Sequence, residues 1–327
     1  MCTYDQRTGK GPINPFTDWG FKYFFGREEN KELLVGFLNL LLETEVRIQD
    51  IAYLNTELLA DRAELRRCVV DVLCTDTVGD RYLVEMQNLA QPDIRERLLY
   101  YACRLIDQMG QHQKEWKYGK IRKVYAICLM NFTYESEPSL RNDFQLRNPT
   151  GAKLFSDRLS IITLQLPCLH AQNASDYRKS YEILLYLLES MSKQMATTEE
   201  LLAEIEALDC VPEESKAIFR RVVTASFDMS KITLKEWHEY EIERDYYLRT
   251  MGSLRAGREE GREEGREEGL AEGLSKGRKE GLAEGRNEGR KEGLLEAARA
   301  MKANGADIDF IAKCTGLSSE EIQALAV

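Results

Sequence analysis

Asp71, Glu85 and Gln87 stand close together in CVVDVLCTDTVGDRYLVEMQ, residues 68–87. Paired carboxylates suit a hard divalent ion such as Mg2+, which takes oxygen ligands and keeps waters for a phosphate substrate. Such an ion lowers the pKa of a bound water and screens charge on a scissile phosphate. Taken alone, D-x13-E-x-Q is a loose pattern, and hairpins with exposed acids are common.

For these groups to act together, two strands must pair. Side chains alternate faces along a strand, so Val69, Asp71, Leu73 and Thr75 share one side of the first run, opposite Cys68, Val70, Val72 and Cys74. Leu83, Glu85 and Gln87 share one side of the second run, and Thr77 to Asp80, TVGD, supplies the turn. Pairing makes Asp71 and Glu85 converge, with Gln87 one pleat further along.

The neighbouring stretches supply a frame. Leu33, Leu34, Phe37, Leu38, Leu41 and Leu42 recur at helical spacing over residues 28–43. Just upstream, NPFTDWGFKYFF sets Asp18 and Lys22 amid Phe16, Trp19, Phe21, Phe24 and Phe25, where a polar group needs a partner or a purpose. VRIQDIAYLN (46–55) reads as a strand. Pro92 opens a helix from Asp93 to about Trp116, with Ile94, Leu98, Tyr101, Leu105 and Met109 on one face. VYAICLMNF (124–132) is a nearly continuous apolar strand suited to the centre of a sheet, and FQLRN and LSIITLQLP follow as further strands. The order gives an α/β class, a mixed sheet flanked by helices. Beyond about residue 174 come four acidic helical stretches with no recognisable motif, read as a packing and linking region.

Composition narrows the function classes. The net charge is −10, yet residues 1–150 carry 20 Lys and Arg against 22 Asp and Glu, while residues 151–254 carry 12 against 17. The acid excess therefore lies mostly outside the candidate site, and a nucleic-acid partner stays open. Lys114, Lys117, Lys120, Arg122 and Lys123, interleaved with Trp116 and Tyr118, read either as phosphate contacts or as a solvated helix end. Eight scattered cysteines without CxxC fit reduced thiols. No apolar run approaches the roughly 20 residues that span a bilayer. We expect a soluble, cytoplasmic protein with no membrane partner.

From Gly257 to Gly293 glycine recurs every fourth residue, ten times, mostly as GREE, GLAE or GRKE. Each glycine costs a helix about 1 kcal/mol relative to alanine. Four residues turn a helix by about 400°, so the stripe winds around the axis and opens a groove for a similar helix. Self-association is one reading and a flexible charged linker the other; 22 charged residues over 255–296 exclude membrane pairing. The last segment reads as three short helices. Asn304-Gly305 stops the first and Ser318 to Glu321 starts the third. With Lys313 nearly its only basic residue after Lys302, we expect a protein-contact cap rather than a DNA-reading helix-turn-helix.

In this order, NPFTDWGFKYFF, VVDVLCTDTVGDRYLVEMQ, RERLLYYACRL, VYAICLMNF and the EGxxEG array ending in IAKCTGLSSEEI resemble the Rpn family. These are recombination-promoting nucleases, grouped with transposases, on a PD-(D/E)XK restriction-endonuclease-like core. The resemblance implies a Mg2+-dependent DNA endonuclease in which Asp71 and Glu85 bind the metal and Gln87 takes the place of the motif's lysine. Asp18 matches an additional N-terminal acid. A neutral amide supplies no cation, so a second metal or a base such as Lys22 compensates, or turnover is slow. Gln at this position is itself part of the family's pattern. Arg97 and Tyr101, one helical turn apart, are candidate DNA contacts together with Lys22, Lys117 and Lys120. The alternative is a DNA-associated scaffold that keeps the fold without turnover. The expected divisions are a disordered tail (1–13), the nuclease core (14–170), an acidic helical region (171–254), the GxxxG-repeat helix (255–296), through which the chain forms a homo-oligomer, and a small C-terminal helical domain (297–327).

Overall fold

The structure, a computed structural model, describes residues 12–43, 47–58, 68–110, 117–134 and 138–326. It divides into two compact units, residues 1–248 and 249–327.

In the first unit the aromatic segment forms α1 (Asp18–Phe25), and the periodic leucines form α2 (Lys31–Leu42) after a 3-10 turn at Glu28–Asn30. Then come β1 (Ile51–Tyr53), β2 (Glu57–Leu58), β3 (Cys68–Val69), β4 (Val72–Asp76) and β5 (Arg81–Gln87). The chain continues through α3 (Ile94–Gly110), β6 (Val124–Met130), β7 (Arg141–Arg147) and β8 (Leu154–Gln165). The expected strand over 46–55 is confined to three residues. The expected α3 end near Trp116 and the polar connector beyond Leu58 lie outside the described residues.

Six strands form one mixed sheet in the order β1-β4-β5-β6-β8-β7, with β6 parallel to both β5 and β8. The TVGD turn closes the β4–β5 hairpin. Asp76 Oδ1 accepts from the N–H groups of Val78, Gly79 and Asp80, and Gly79 takes φ 92°, a value open to glycine. Period-two alternation makes the sheet apolar on both faces. Val72, Cys74, Val84, Ile127, Leu129 and Ile162 join one core, whereas Leu73, Leu83, Val124, Ala126, Cys128 and Met130 join the other under α3.

The first core also takes α4 (Ser180–Ser192), α5 (Thr198–Glu206) and α6 (Glu213–Phe227) through Leu184, Leu185, Leu201, Ile205, Phe219 and Val222. Residue 170 is therefore not a packing boundary, because the acidic helices turn their apolar stripes onto the same core as α1, α2 and the sheet. Gly36 of α2 allows the approach of α6, since a Cβ there would lie 2.8 Å from Ile218. Of the expected disordered tail, 1–13, only the last two residues are described. Pro12 and Ile13 are buried, with Ile13 N–H donating to Ser226 O at 3.0 Å; residues 1–11 lie outside the described residues.

α7 (Leu234–Ala303) begins in the first unit, where Trp237 and Tyr240 are buried, and carries all ten array glycines in the second. Among the described residues, none of those glycines has a heavy atom within 4 Å of an added Cβ, chain neighbours and the local helix backbone apart, and Leu270, Leu274 and Leu282 beside them are exposed. α8 (Ile308–Thr315) and α9 (Ser319–Ala324) fold back on the end of α7 around Ala298, Ile311 and Ile322. Ser318 caps α9 with a reciprocal Glu321 bond, and Gly305 takes φ 78°, as the Asn-Gly and Ser-Ser-Glu-Glu patterns predict. Lys302 Nζ donates to the carbonyls of Ile322, Gln323 and Leu325 at 2.8–3.0 Å, which spends one of the few cations of this segment internally.

Candidate active site

The β4–β5 register pairs Val72 with Val84 and Leu73 with Leu83, and its next step sets Asp71 across from Glu85. Convergence thus follows from the alternation read in the sequence, with one change. Asp71 sits at a bend between β3 and β4, and Val70 falls into the same core as Leu73 rather than that of Val72. The bend frees Asp71 from ladder pairing, and its Oδ2 accepts from Met86 N–H at 2.8 Å. The carboxylate is therefore tied to the strand that carries Glu85.

Glu85 is 3% exposed and lies level with Cys128 on β6. Its Oε2 accepts from Gln87 Nε2 at 3.1 Å and stands 4.0 Å from Arg97 Nη2, while Oε1 is buried with no partner among the described residues. Burial, then repulsion from Asp71, pushes the Glu85 carboxyl well above the carboxylate range, against the opposing pull of Arg97 and Gln87. Burial also raises Asp71, opposed by the Met86 N–H and reinforced by Asp18.

Asp18 and Lys22 come from α1. Thr17 caps that helix by accepting from Gly20 N–H, and Gly20 is required, because a Cβ there would meet Asn14 O at 2.0 Å. One turn apart, Lys22 Nζ binds Asp18 at 2.8 Å and reaches 3.8 Å from Asp71 Oδ1. Although burial opposes its charge, Asp18 and then Asp71 hold the Lys22 ammonium above its usual range. Lys22 is thus a protonated bridge between two acids, not a neutral base.

Arg97 on α3 donates to Gln91, leaves a buried Nε without a partner among the described residues, and lies 5.9 Å from the ring of buried Tyr101. Lys117 and Lys120 do not join this group. They precede β6 at the Val124–Arg81 end of the sheet, four residues or about 13 Å along the strand from Cys128 and Glu85.

Sequence reasoning missed Glu243. Its Oε2 accepts from Trp19 N–H at 2.6 Å, 224 residues away in the chain, and its carboxyl is raised first by burial and also by Asp18. No local spacing signals such a partner. It arrives because Tyr240, one turn earlier on α7, is buried against residues 12–14, accepting from Asn14 N–H at 2.7 Å.

Among the described residues no three His, Cys, Asp or Glu side chains group as a metal site; the acid set is the pair Asp71 and Glu85. That pair fits a divalent cation. Two carboxyls forced upward by burial and mutual repulsion, one with an orphaned oxygen, gain most from a positive charge between them.

A family model described as "PD-(D/E)XK nuclease family transposase" matches residues 15–253. A second, "Rpn/YhgA-like nuclease family, C-terminal HTH domain", matches residues 291–327, which revises the expectation of a protein-contact cap. No curated protein and no solved structure matches. The first match spans the sheet, both cores and the Asp71–Glu85 pair, so this chain belongs to the PD-(D/E)XK nuclease family of transposases and carries an Rpn/YhgA-like C-terminal domain.

Proposed function

We propose that the protein is a Mg2+-dependent DNA endonuclease acting in recombination or mobile-element movement, with Asp71 and Glu85 as metal ligands. The observation that carries this reading is the buried Glu85 Oε1, unpartnered beside a second raised carboxyl. When bound, Mg2+ supplies charge to the scissile phosphate and acidity to water. The chain's own groups do the rest. Gln87 holds Glu85 Oε2, the Met86 N–H holds Asp71, Lys22 restrains Asp71 from the α1 side, and Arg97 offers the cation that Gln87 does not. Tyr101, beside Arg97, supports that guanidinium, and DNA contacts are assigned to Lys22 and Arg97.

Nicking of supercoiled plasmid by the full chain tests this, with Mg2+ or EDTA, against Asp71→Ala and Glu85→Ala. Cleavage lost in both variants supports the reading; equal cleavage by all three proteins refutes it. Gln87 in the lysine position favours a second reading, a DNA-associated scaffold without turnover. DNA binding with no Mg2+-dependent nicking would select it.

The glycine array serves assembly in this proposal. Residues 257–272 hold three Arg against seven Glu, and residues 273–292 hold six Lys and Arg against four Glu. An antiparallel second copy therefore matches acidic half to basic half, with Leu270 and Leu274 against the glycine groove. Truncation before Gly257 then lowers the mass in solution; an unchanged mass refutes the role.

A further inference from the structure

The end of the sheet remote from Asp71 and Glu85 carries a second concentration of chemistry. β7 and β8 pair beyond the last residue of β8 that β6 covers. The β6 ladder begins at Val124↔Leu159, while the hairpin continues through Leu146↔Ser156 and Arg147↔Leu154. Residues 146–158 are therefore a two-stranded projection from the edge. Its apolar side chains are uncovered: Phe155 is 86% exposed, and Leu146 and Leu154 are exposed as well.

Cations surround them. Lys117, Lys120, Arg122 and Lys123 enter β6 beside the hairpin, joined to it by the Lys123 Nζ to Asp157 Oδ2 ion pair at 3.1 Å. The hairpin adds Arg147, Lys153 and Arg158. Residues 117–123 and 144–158 together hold these seven basic residues and one acid, Asp157, in a chain of net charge −10. That acid is already shared by Lys123 and Arg158. Among the described residues Lys117, Lys120, Arg122 and Lys153 form no ion pair. Tyr118 stands 82% exposed in the same stretch.

We infer that this hairpin and the 117–123 segment form a second nucleic-acid surface that holds an unpaired strand, with phosphates on the lysines and arginines and a base stacked on Phe155. An aromatic face offered to solvent among cations matches the π-face and backbone charge of a single strand; a duplex hides its base faces. Protein-docking surfaces are depleted in lysine, which argues against that class of partner. Phe155 lies eight residues along β8 from Thr163, which is level with Cys128 and Glu85, so the stacking residue stands roughly 25 Å along the strands from the acid pair, while the 117–123 segment begins about 13 Å from it. The surface is a separate contact and does not depend on turnover at the carboxylates.

The test is fluorescence anisotropy of labelled oligo-dT, oligo-U and a duplex of equal length with the full chain in EDTA, across a salt series. Phe155→Ala should weaken oligo-dT binding about tenfold or more and leave the duplex nearly unchanged. Lys120→Ala with Lys153→Ala should flatten the log–log salt slope for the single strand by about 1.4. Similar losses for oligo-dT and oligo-U mark backbone and stacking recognition of either strand, and a loss with one alone names the source. Unchanged affinity and slope would overturn the inference. So would a Phe155→Ala variant that binds oligonucleotide normally but changes its mass in solution, which would identify a protein-docking face. Because binding is read in EDTA, absence of plasmid nicking would defeat the nuclease reading without touching this result. All substituted residues are exposed, and a thermal melt verifies the fold of each variant.

Discussion

Gln87 Nε2 donates to Glu85 Oε2 at 3.1 Å and leaves Glu85 Oε1 as the free end of a held carboxylate. If Glu85 is a metal ligand, as proposed, the amide orients it where a lysine would contribute charge. Gln87→Leu should therefore loosen Glu85 and raise the Mg2+ concentration for half-maximal cleavage several-fold, since partners that orient a ligand typically account for 10- to 100-fold in metal affinity or activity. Gln87→Lys should draw the Glu85 carboxyl down toward its ordinary range. A Mg2+ titration of the nicking rate measures both.

Arg97 is the cation nearest Glu85 from α3, with a buried Nε that has no partner. Arg97→Ala should lower cleavage by about two orders of magnitude if its charge serves the transition state. Arg97→Lys should restore part of kcat, because a point charge replaces the fork. Equal loss in both variants would assign Arg97 to packing against Tyr101.

The acid pair sets a pH dependence. Both carboxyls bind protons more tightly folded than unfolded, so the stability that this pair contributes to the metal-free protein is fully present below the ordinary carboxylate range near about 4. The protein loses that contribution as pH rises through the raised folded values. Thermal melts in EDTA should fall over this window. Glu85→Gln should flatten the fall, and Mg2+ should raise Tm at pH 8 in the wild type but not in Glu85→Gln.

Glu243 caps α1 from a distance through Trp19 N–H. Its removal leaves an N-terminal donor of α1 unsatisfied in a half-buried setting. Urea denaturation of Glu243→Ala should show a loss of about 1 kcal/mol, with a further drop in nicking as Asp18 and Lys22 shift.

Substituting alanine for Gly261, Gly265 and Gly269 meets no neighbour among the described residues. Each change should add about 1 kcal/mol to helix stability. If the groove receives a second helix, the added methyls should nevertheless lower the solution mass, a combination that circular dichroism and light scattering together detect.

Period and punctuation make much of the fold legible in the sequence. Asp71 and Glu85 can be brought together on paper because strand alternation and the TVGD turn fix the register, and the Leu98 to Leu105 face of α3 follows from helical spacing. Legibility stops where partners are remote in the chain. Neither Glu243 against Trp19 nor the acidic helices against the sheet leaves a local signature, since burial there is decided by tertiary packing. The bend at Asp71 is hidden for the same reason, because its N–H···carboxylate tie to Met86 replaces a ladder bond that the pattern assumes. Lys117 and Lys120 are legible only as composition, which cannot say at which end of a strand a cluster will fall.

The bonds from residues 12–14 to Ser226 and Tyr240, with Glu243 on α1, also order events in time. During synthesis the segment bearing Asp18 and Lys22 leaves the ribosome some 226 residues ahead of Tyr240, a wait of roughly 10 to 45 s at ordinary elongation rates. Until then residues 12–14 lack these bonds and the Trp19 N–H of α1 lacks its Glu243 acceptor, although α1 already has α2 to pack against. If the nuclease reading holds, the site is therefore complete only when the first unit is almost wholly made.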